Sequence, residues 1–340
     1  MRRPSPHPGK YNALTDVPGI RVGHYSDPAA ASGTTVVVCP AGAVGGVDVR
    51  GAAPGTRETE LLAPENLVET VQAICLSGGS VYGLAAADGV VRHLASRSIG
   101  FPLDEGQVAP IVPAAVLFDL GRGPCFRPPV DAGWGEAACR CAVSGPVTGG
   151  SVGAGTGARA GGIKGGIGSA SIVLESGMTV AVLTAVNAMG SAIDPADGTF
   201  WEARLEIDGE FGGRIHGPVV LPPAPEAKPA HNTTLAVVAT DAILTKAQAK
   251  RVAMMAHDGM ARAIRPAHTL FDGDVVFCLA TGKQALPESG GVFTMPAAQV
   301  CINEIGHAAA DCLARAIIHG ILDAESAFGI TAYRDLARRL

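Results

Sequence analysis

Four prolines fall within eight residues, Pro222, Pro223, Pro225 and Pro229, and they constrain how this chain can fold. Proline lacks the amide hydrogen that helix interiors and sheet ladders need, so the polar stretch 222–229 reads as a linker. Strand and helix signals alternate on both sides of it. The 108 residues after Asn232 contain only two clear strand signals, LAVVAT and GDVVFCLAT. Two strands do not make an independently stable sheet. The halves must therefore share their sheets, and residues 1–340 read as a single α/β domain with the linker inside it. No internal repeat stands out.

Upstream, GIRVGHY, GTTVVVCP and GGVDVRG read as short strands between glycine turns. Pro64 at a helix start, with Glu65 in the first turn, predicts a helix through Cys75. A second, Ala-rich helix is expected from about Ser80 to Leu94, a strand over Ala115–Leu120 and a helix over Trp134–Val143. Residues 145–168 form almost a glycine string. ASIVLE and MTVAVLTAVN then read as strands, followed by a surface segment around Asp194–Gly213. Beyond the linker come a strand over 233–240 and a helix to about Ile264. Thr245 caps that helix, with Gln248 three residues on, the capping-box spacing. Ala297–Leu322 reads as a long helix.

With 47% hydrophobic and 17% charged residues, the chain can bury a large core and still present apolar surface. That balance favours burial between subunits, hence a homo-oligomer. A net charge of −5 and only four Tyr and two Trp argue against nucleic acid as a partner. The two N-terminal arginines precede no apolar stretch, so no signal peptide is expected. The apolar run Met178–Met189 is too short to cross a bilayer, so no membrane partner is expected. Eight cysteines without a C-x-x-C pair read as small buried hydrophobes of a reducing cytoplasm.

The candidate chemistry centres on Asn232-Thr233-Thr234, where the linker gives way to a β-branched strand. If the Asn232–Thr233 bond were broken, Thr233 would carry a hydroxyl nucleophile and a free α-amine on one residue. That amine titrates near ~7.7–8.0 and can act as base for its own Oγ. The same tripeptide is also a literal N-glycosylation acceptor and an ordinary Thr-rich start to a strand. Gly149–Gly153 matches G-x-S-x-G around Ser151 but lacks the firm strand and helix of a nucleophile elbow. Gly153–Ala158 resembles a dinucleotide fingerprint, and Gly162-Ile163-Lys164 a P-loop, and both lack the required context. The glycine loop instead brings backbone close to something, with Lys164 placed to orient a nucleophile or stabilise charge. His257, His268, Asp272 and Asp274 show no metal-ligand spacing, and Asp272-Gly273-Asp274 fits either a turn holding two carboxylates beside a buried site or a solvated turn. Asn187 ends an apolar run, where its amide could serve an oxyanion or merely bond a turn.

HNTTLAVVATDAILTKAQAKRVAMMAHDGMARAIRPAHTLFDGD resembles the post-cleavage region of self-processing N-terminal-nucleophile hydrolases, the group of L-aminopeptidase/D-esterases, β-aminopeptidases and nylon-oligomer hydrolases. LTDVPGIRVGHY, AICLSGGSVYGL and TAVNAMGS extend the resemblance over nearly the whole chain. It implies a four-layer αββα sandwich and self-cleavage between Asn232 and Thr233, giving fragments 1–232 and 233–340. The aminopeptidases use Ser after Gly there, and the nylon-oligomer type uses Asn-Thr as this chain does. By the same resemblance Lys164 and Asn187 support the site, Asp272 and Asp274 match an Asp-Gly-Asp pair near the nucleophile, and the assembly is a homotetramer. Phe118 stands where that subgroup would have Tyr, which removes a hydroxyl from the substrate side. The expected activity is hydrolysis of short peptide or ω-amino-acid amides through an acyl-enzyme on Thr233, with neither cofactor nor metal. The alternatives are an N-terminal-Thr acyltransferase resembling ornithine acetyltransferases, or a self-processed binding protein without catalysis.

Overall fold

A computed structural model describes residues 6–215, 219–222, 232–288 and 296–337. Of the proline-rich linker only Pro222 lies among them, so the reading of 223–229 falls outside the described residues. The strands in chain order are β1 (Arg21–Asp27), β2 (Ser32–Val49), β3 (Gly55–Arg57), β4 (Thr70–Ser77), β5 (Phe101–Pro102), β6 (Val108–Ala109), β7 (Ala114–Val116), β8 (Arg159–Ala160), β9 (Ile163–Lys164), β10 (Ile167–Val173), β11 (Thr179–Asn187), β12 (Thr233–Ala242) and β13 (Val275–Gln284). The helices are α1 (Ala86–Ala95), α2 (Ala132–Arg140), α3 (Lys246–Ala263), α4 (Ala297–Leu322) and α5 (Tyr333–Ala337).

One hydrogen-bonded sheet runs β10-β11-β12-β13-β2-β4-β7-β3, with β1 also on β2. It is continuous because β2 serves two layers. Residues Ser32–Val38 of β2 pair with β1, and Thr34–Val38 also pair with β4. Val44–Val49 pair with β13, while Ala43 and Val44 keep the pairing to β4. The register slips between Val38 and Ala43, where Gly42 takes a positive φ of 79°, and such a bulge bends and twists the strand. The sheet thereby folds over on itself.

Side-chain alternation then sorts the strands into three cores. Leu235, Val237 and Ala239 of β12 meet Val37, Ile74 and Leu76 in a core between the two sheet layers. Ala236 and Val238, one residue out of phase, pack beneath α3 and α4. On the opposite outer face Val36, Val38, Ala73 and Cys75 pack beneath α1 and α2. Helices, sheet, sheet and helices make four layers, as the resemblance implies. Thr245 caps α3 with the expected capping box to Gln248. Among the described residues α4 is the one helix long and apolar enough by composition to cross a membrane, and 83% of its apolar window is buried in the fold.

Two expectations are corrected. The helix read from Pro64 to Cys75 is a short 3-10 turn at Glu60–Leu62 followed by strand β4. Pro64 and Glu65 are only a local start signal. Ile74 and Leu76 face one core while Ala73 and Cys75 face another, a period of two that pairing on both edges enforces. The segment Asp194–Gly213 is not simply surface, since Phe200, Glu202 and Phe211 are buried. Within it Glu210 accepts hydrogen bonds from Arg315 Nε (2.5 Å), Arg315 Nη2 (2.7 Å) and His319 Nε2 (2.9 Å). Burial opposes ionisation of Glu210, and the bonds from His319 and Arg315 outweigh it, holding the carboxyl at about 2. This buried pair ties the segment to α4.

Candidate active site

Strand β12 begins at Thr233, with Asn232 immediately before it in an isolated parallel bridge to Asp272. Across the antiparallel β11–β12 ladder Asn187 is the register partner of Thr233. Lys164, Asn187, Asn232, Thr233, Asp272 and Asp274 are all buried. The Thr233 hydroxyl donates to the carbonyl oxygen of Asn232, the bond immediately preceding it. The backbone N–H of Gly273 reaches that same oxygen at 3.3 Å. A nucleophilic oxygen and a backbone donor thus converge on one peptide group, and the burial of Asn232 leaves little room for a glycan.

Asn187 is held from two sides. Its Oδ1 accepts from the Arg159 backbone N–H at 3.0 Å and its Nδ2 donates to the Phe118 carbonyl at 3.0 Å. A primary amide has a second N–H. Lys164, on the β8–β9 ribbon opposite Arg159, donates from Nζ to the carbonyls of Gly155 (2.9 Å) and Gly165 (2.8 Å). Burial is the main cause that pushes Lys164 down to about 7, Arg122 adds to it, and Asp119 opposes. An amine in that range exchanges protons near neutrality.

The Asp-Gly-Asp carboxylates have separate duties. Asp274 Oδ1 accepts the Thr234 backbone N–H at 2.7 Å, and its Oδ2 accepts the backbone N–H of His268 at 3.0 Å and His268 Nδ1 at 2.8 Å. Asp272 accepts from Met189 N (3.2 Å), Thr269 N (3.1 Å) and Thr269 Oγ1 (2.6 Å). Burial, then the charge of Asp274, raises the Asp272 carboxyl above its ordinary range, against the bonds from Thr269 and Met189. Gly273 between them is required by space: a Cβ there would lie 2.6 Å from the Ala53 carbonyl and 2.9 Å from Thr233 Oγ1.

The structure thus gathers Asn232, Thr233, Asn187, Asp272 and Asp274 directly, and Lys164 through the Arg159–Asn187 link. Sequence reading missed the Gly273 N–H, a backbone group that no residue pattern reports. It also missed Asp119, a buried acid that accepts from Ser32 Oγ and the Gly79 N–H, both at 2.7 Å. Burial pushes Asp119 up to about 6 despite those bonds. Its only signal in the sequence was a lone charge within the strand expected over Ala115–Leu120. Among the described residues, the hydroxyl of Ser151 in the G-x-S-x-G match bonds the Glu325 backbone and not a catalytic base. Among the described residues no group of three or more His, Cys, Asp or Glu is arranged to hold a metal ion.

A cleft of about 500 Å³ opens beside the site, lined in part by Met189, Ser191, Asp197, Leu221 and Arg265. Met189 belongs to both, since its backbone N–H holds Asp272. The volume lies within the usual range of small-molecule pockets.

Residues 12–334 match the profile of peptidase family S58. An uncharacterized aminopeptidase of Mycobacterium bovis is 50% identical, covering 96% of this chain and 98% of its own length. A 6-aminohexanoate-oligomer endohydrolase of Kocuria sp. is 33% identical over 83% of this chain and 79% of its own. In fold, the structure of the L-aminopeptidase D-Ala-esterase/amidase from Ochrobactrum anthropi, described as a variant of the Ntn hydrolase fold, superposes with a TM-score of 0.70 at 20% identity, covering 98% of this chain and 94% of that one. This chain therefore belongs to peptidase family S58 and is an amide hydrolase of the N-terminal-nucleophile fold.

Proposed function

We propose that this hydrolase makes its own nucleophile by cutting the Asn232–Thr233 bond, and then cleaves short peptide or ω-amino-acid oligomer amides through an acyl-enzyme on Thr233. The observation that carries this reading is the Thr233 hydroxyl hydrogen-bonded to the carbonyl oxygen of the residue before it. In the precursor, Oγ attacks the Asn232 carbonyl carbon, and the Gly273 N–H supports the charge that develops on its oxygen. The C–N bond breaks, the freed nitrogen takes a proton, and an ester joins Asn232 to Thr233 Oγ. Water then hydrolyses the ester, leaving a carboxylate on Asn232 and a free α-amine on Thr233. Lys164, half deprotonated near neutral pH, is the base within the site that suits the first proton transfer.

In the mature enzyme the α-amine of Thr233 takes the Oγ proton as Oγ attacks a substrate amide. The second N–H of the Asn187 amide is positioned by its bonds to Phe118 and Arg159 to serve the oxyanion. Asp274 holds Thr234, and Asp272 holds Met189 at the border of the cleft. The cleft takes the part of the substrate flanking the reacting amide. Its size suits short substrates, in keeping with the aminopeptidase and oligomer-hydrolase names of the relatives.

Denaturing electrophoresis tests the reading. Active protein should run as two bands of about 23 and about 11 kDa, the 34.3 kDa of the chain shared by length, with Thr233 as a new N-terminus. Thr233→Ala should stay uncut and inactive. A single full-length band in a preparation that turns over amides would overturn it. Rates on amino-acid amides, β-peptides and 6-aminohexanoate oligomers would then define the substrate.

A further inference from the structure

One wall of the cleft carries a cation that the mechanism does not use. The chain runs from Asn187, at the end of β11, straight into Met189, Gly190 and Ser191 of that cleft. At most about 14 Å of extended chain separates Ser191 from Asn187, the register partner of Thr233. Arg265 is fixed to this wall through its backbone, whose N–H and C=O both pair with Ser191 at 3.0 Å. The Trp201 indole Nε1 donates to the Ser191 carbonyl, also at 3.0 Å. The Arg265 guanidinium lies over the Trp201 ring, 4.1 Å from its centroid. An arginine stacked in this way uses its face on the indole and keeps its N–H donors, which point outward in the plane of the group. Among the described residues no carboxylate pairs with it.

We propose that Arg265, laid on Trp201, binds a carboxylate that ends the leaving portion of the substrate, so that the enzyme favours short amides with an apolar leaving group and a free carboxyl terminus. This rests on the reading of Thr233 as the nucleophile, because the cleft is placed relative to that residue. The surroundings of Arg265 match such a ligand. Met189, Pro195, Ala196, Val219, Leu221 and Pro266 line the cleft, and apolar walls suit a methylene chain or an aliphatic side chain. The other charged residue of the lining, Asp197, is engaged on its own loop. Its Oδ1 accepts the Thr199 N–H at 2.9 Å and the Thr199 hydroxyl at 2.6 Å. A carboxylate matches the two-pronged donor edge of arginine, and apolar walls strengthen that bond relative to open water. The stacked, backbone-anchored guanidinium also loses little freedom on binding.

The leaving portion of a peptide or an ω-amino-acid oligomer is an amine that carries the carboxyl end of the chain. Substrates capped as amides at that end lack the anion and should be poorer. Capping should cost the parent enzyme about tenfold or more in kcat/KM, expressed mainly in KM, the scale of a hydrogen bond to a charged group. Arg265→Met should bring the ratio between free and capped substrates close to one. Arg265→Lys keeps the charge and loses the fork, so it should restore part of the ratio.

Two measurements test the proposal. In the first, the uncut Thr233→Ala protein is titrated with hexanoate and with hexanamide while the Trp201 indole N–H is followed by NMR. Hexanoate should bind at least about tenfold more tightly and move that signal, and Arg265→Met should remove the preference. This measurement needs neither cleavage nor turnover, so it stands even if the Thr233 reading fails. Equal binding of the two probes, or a preference that survives in Arg265→Met, would overturn the proposal. In the second, mature enzyme hydrolyses leucyl-leucine and the 6-aminohexanoate dimer, each with a free and an amide-capped carboxyl end, and both fragments are confirmed on a denaturing gel. A free-to-capped ratio of kcat/KM that is the same in the parent and in Arg265→Met would also refute it. An active chain that runs uncut on that gel would count against the Thr233 reading and not against the carboxylate site.

Discussion

Replacing Lys164 by methionine isolates what a buried amine does to this fold. Lys164 is fully buried, and its pKa stands at about 7 against an ordinary 10.5. Between those values the unfolded chain binds a proton that the folded chain does not, so stability rises with pH there, by up to about 1.4 kcal/mol per unit. Below the folded value both states are protonated, and the desolvated ammonium costs the fold roughly 5 kcal/mol relative to high pH. Methionine removes that cost but leaves the Gly155 and Gly165 carbonyls without their donor, at about 1–3 kcal/mol each. The two effects nearly cancel near neutrality, so the midpoint alone decides little. The slope decides. From about pH 7 to about pH 8.5 the lysine protein should gain about 1.6 kcal/mol over the methionine variant. Both proteins carry the same buried cysteines, so thiol ionisation cancels in the difference. Urea denaturation of both proteins in a Thr233→Ala background keeps one uncut chain and gives the difference directly. Parallel curves across the window would refute the buried, readily deprotonated Lys164, and with it the base proposed for self-cleavage.

Arg315→Met should destabilise by about 3–5 kcal/mol, because it strands the buried Glu210 carboxylate that Arg315 and His319 now hold; thermal denaturation measures it, and adding Glu210→Gln should recover part of the loss. An Arg315→Met protein as stable as the parent would mean that the pair contributes nothing. Gly273→Ala puts a Cβ 2.9 Å from Thr233 Oγ1 and 2.6 Å from the Ala53 carbonyl, which should cost about 1–3 kcal/mol of stability by overpacking. The shifted donor should slow self-cleavage about a hundredfold. Pulse-chase electrophoresis reads the rate, and near-normal cleavage would remove Gly273 from the oxyanion site.

The elements that sequence reading placed well share a strong local signature. Strand β12 is a β-branched run, α3 carries its capping box, and α4 spans the predicted Ala297–Leu322. The failure at 64–75 came from trusting a Pro-Glu helix start over a segment whose neighbours on both edges make it a strand. The candidate site followed the same division. Thr233, Lys164, Asn187, Asp272 and Asp274 were legible because their side chains and surroundings, or a family resemblance, mark them. Gly273 was legible only as a turn residue, since what it contributes is a backbone hydrogen aimed by the fold. His257 and His268 show no metal-ligand spacing in the sequence, and in the fold their rings meet each other while His268 holds Asp274.

Composition and pattern by themselves therefore determined that the halves on either side of the proline-rich linker share a sheet, and that a hydroxyl residue opens the first strand beyond it. Those are properties of local periodicity and of how few strands the second half contains. Tertiary structure alone decided that the Thr233 hydroxyl meets the carbonyl before it, that Asp274 faces Thr234 and that Lys164 is dry. Each of these depends on a ladder register or on burial between layers, and both are set by contacts between residues far apart in the chain.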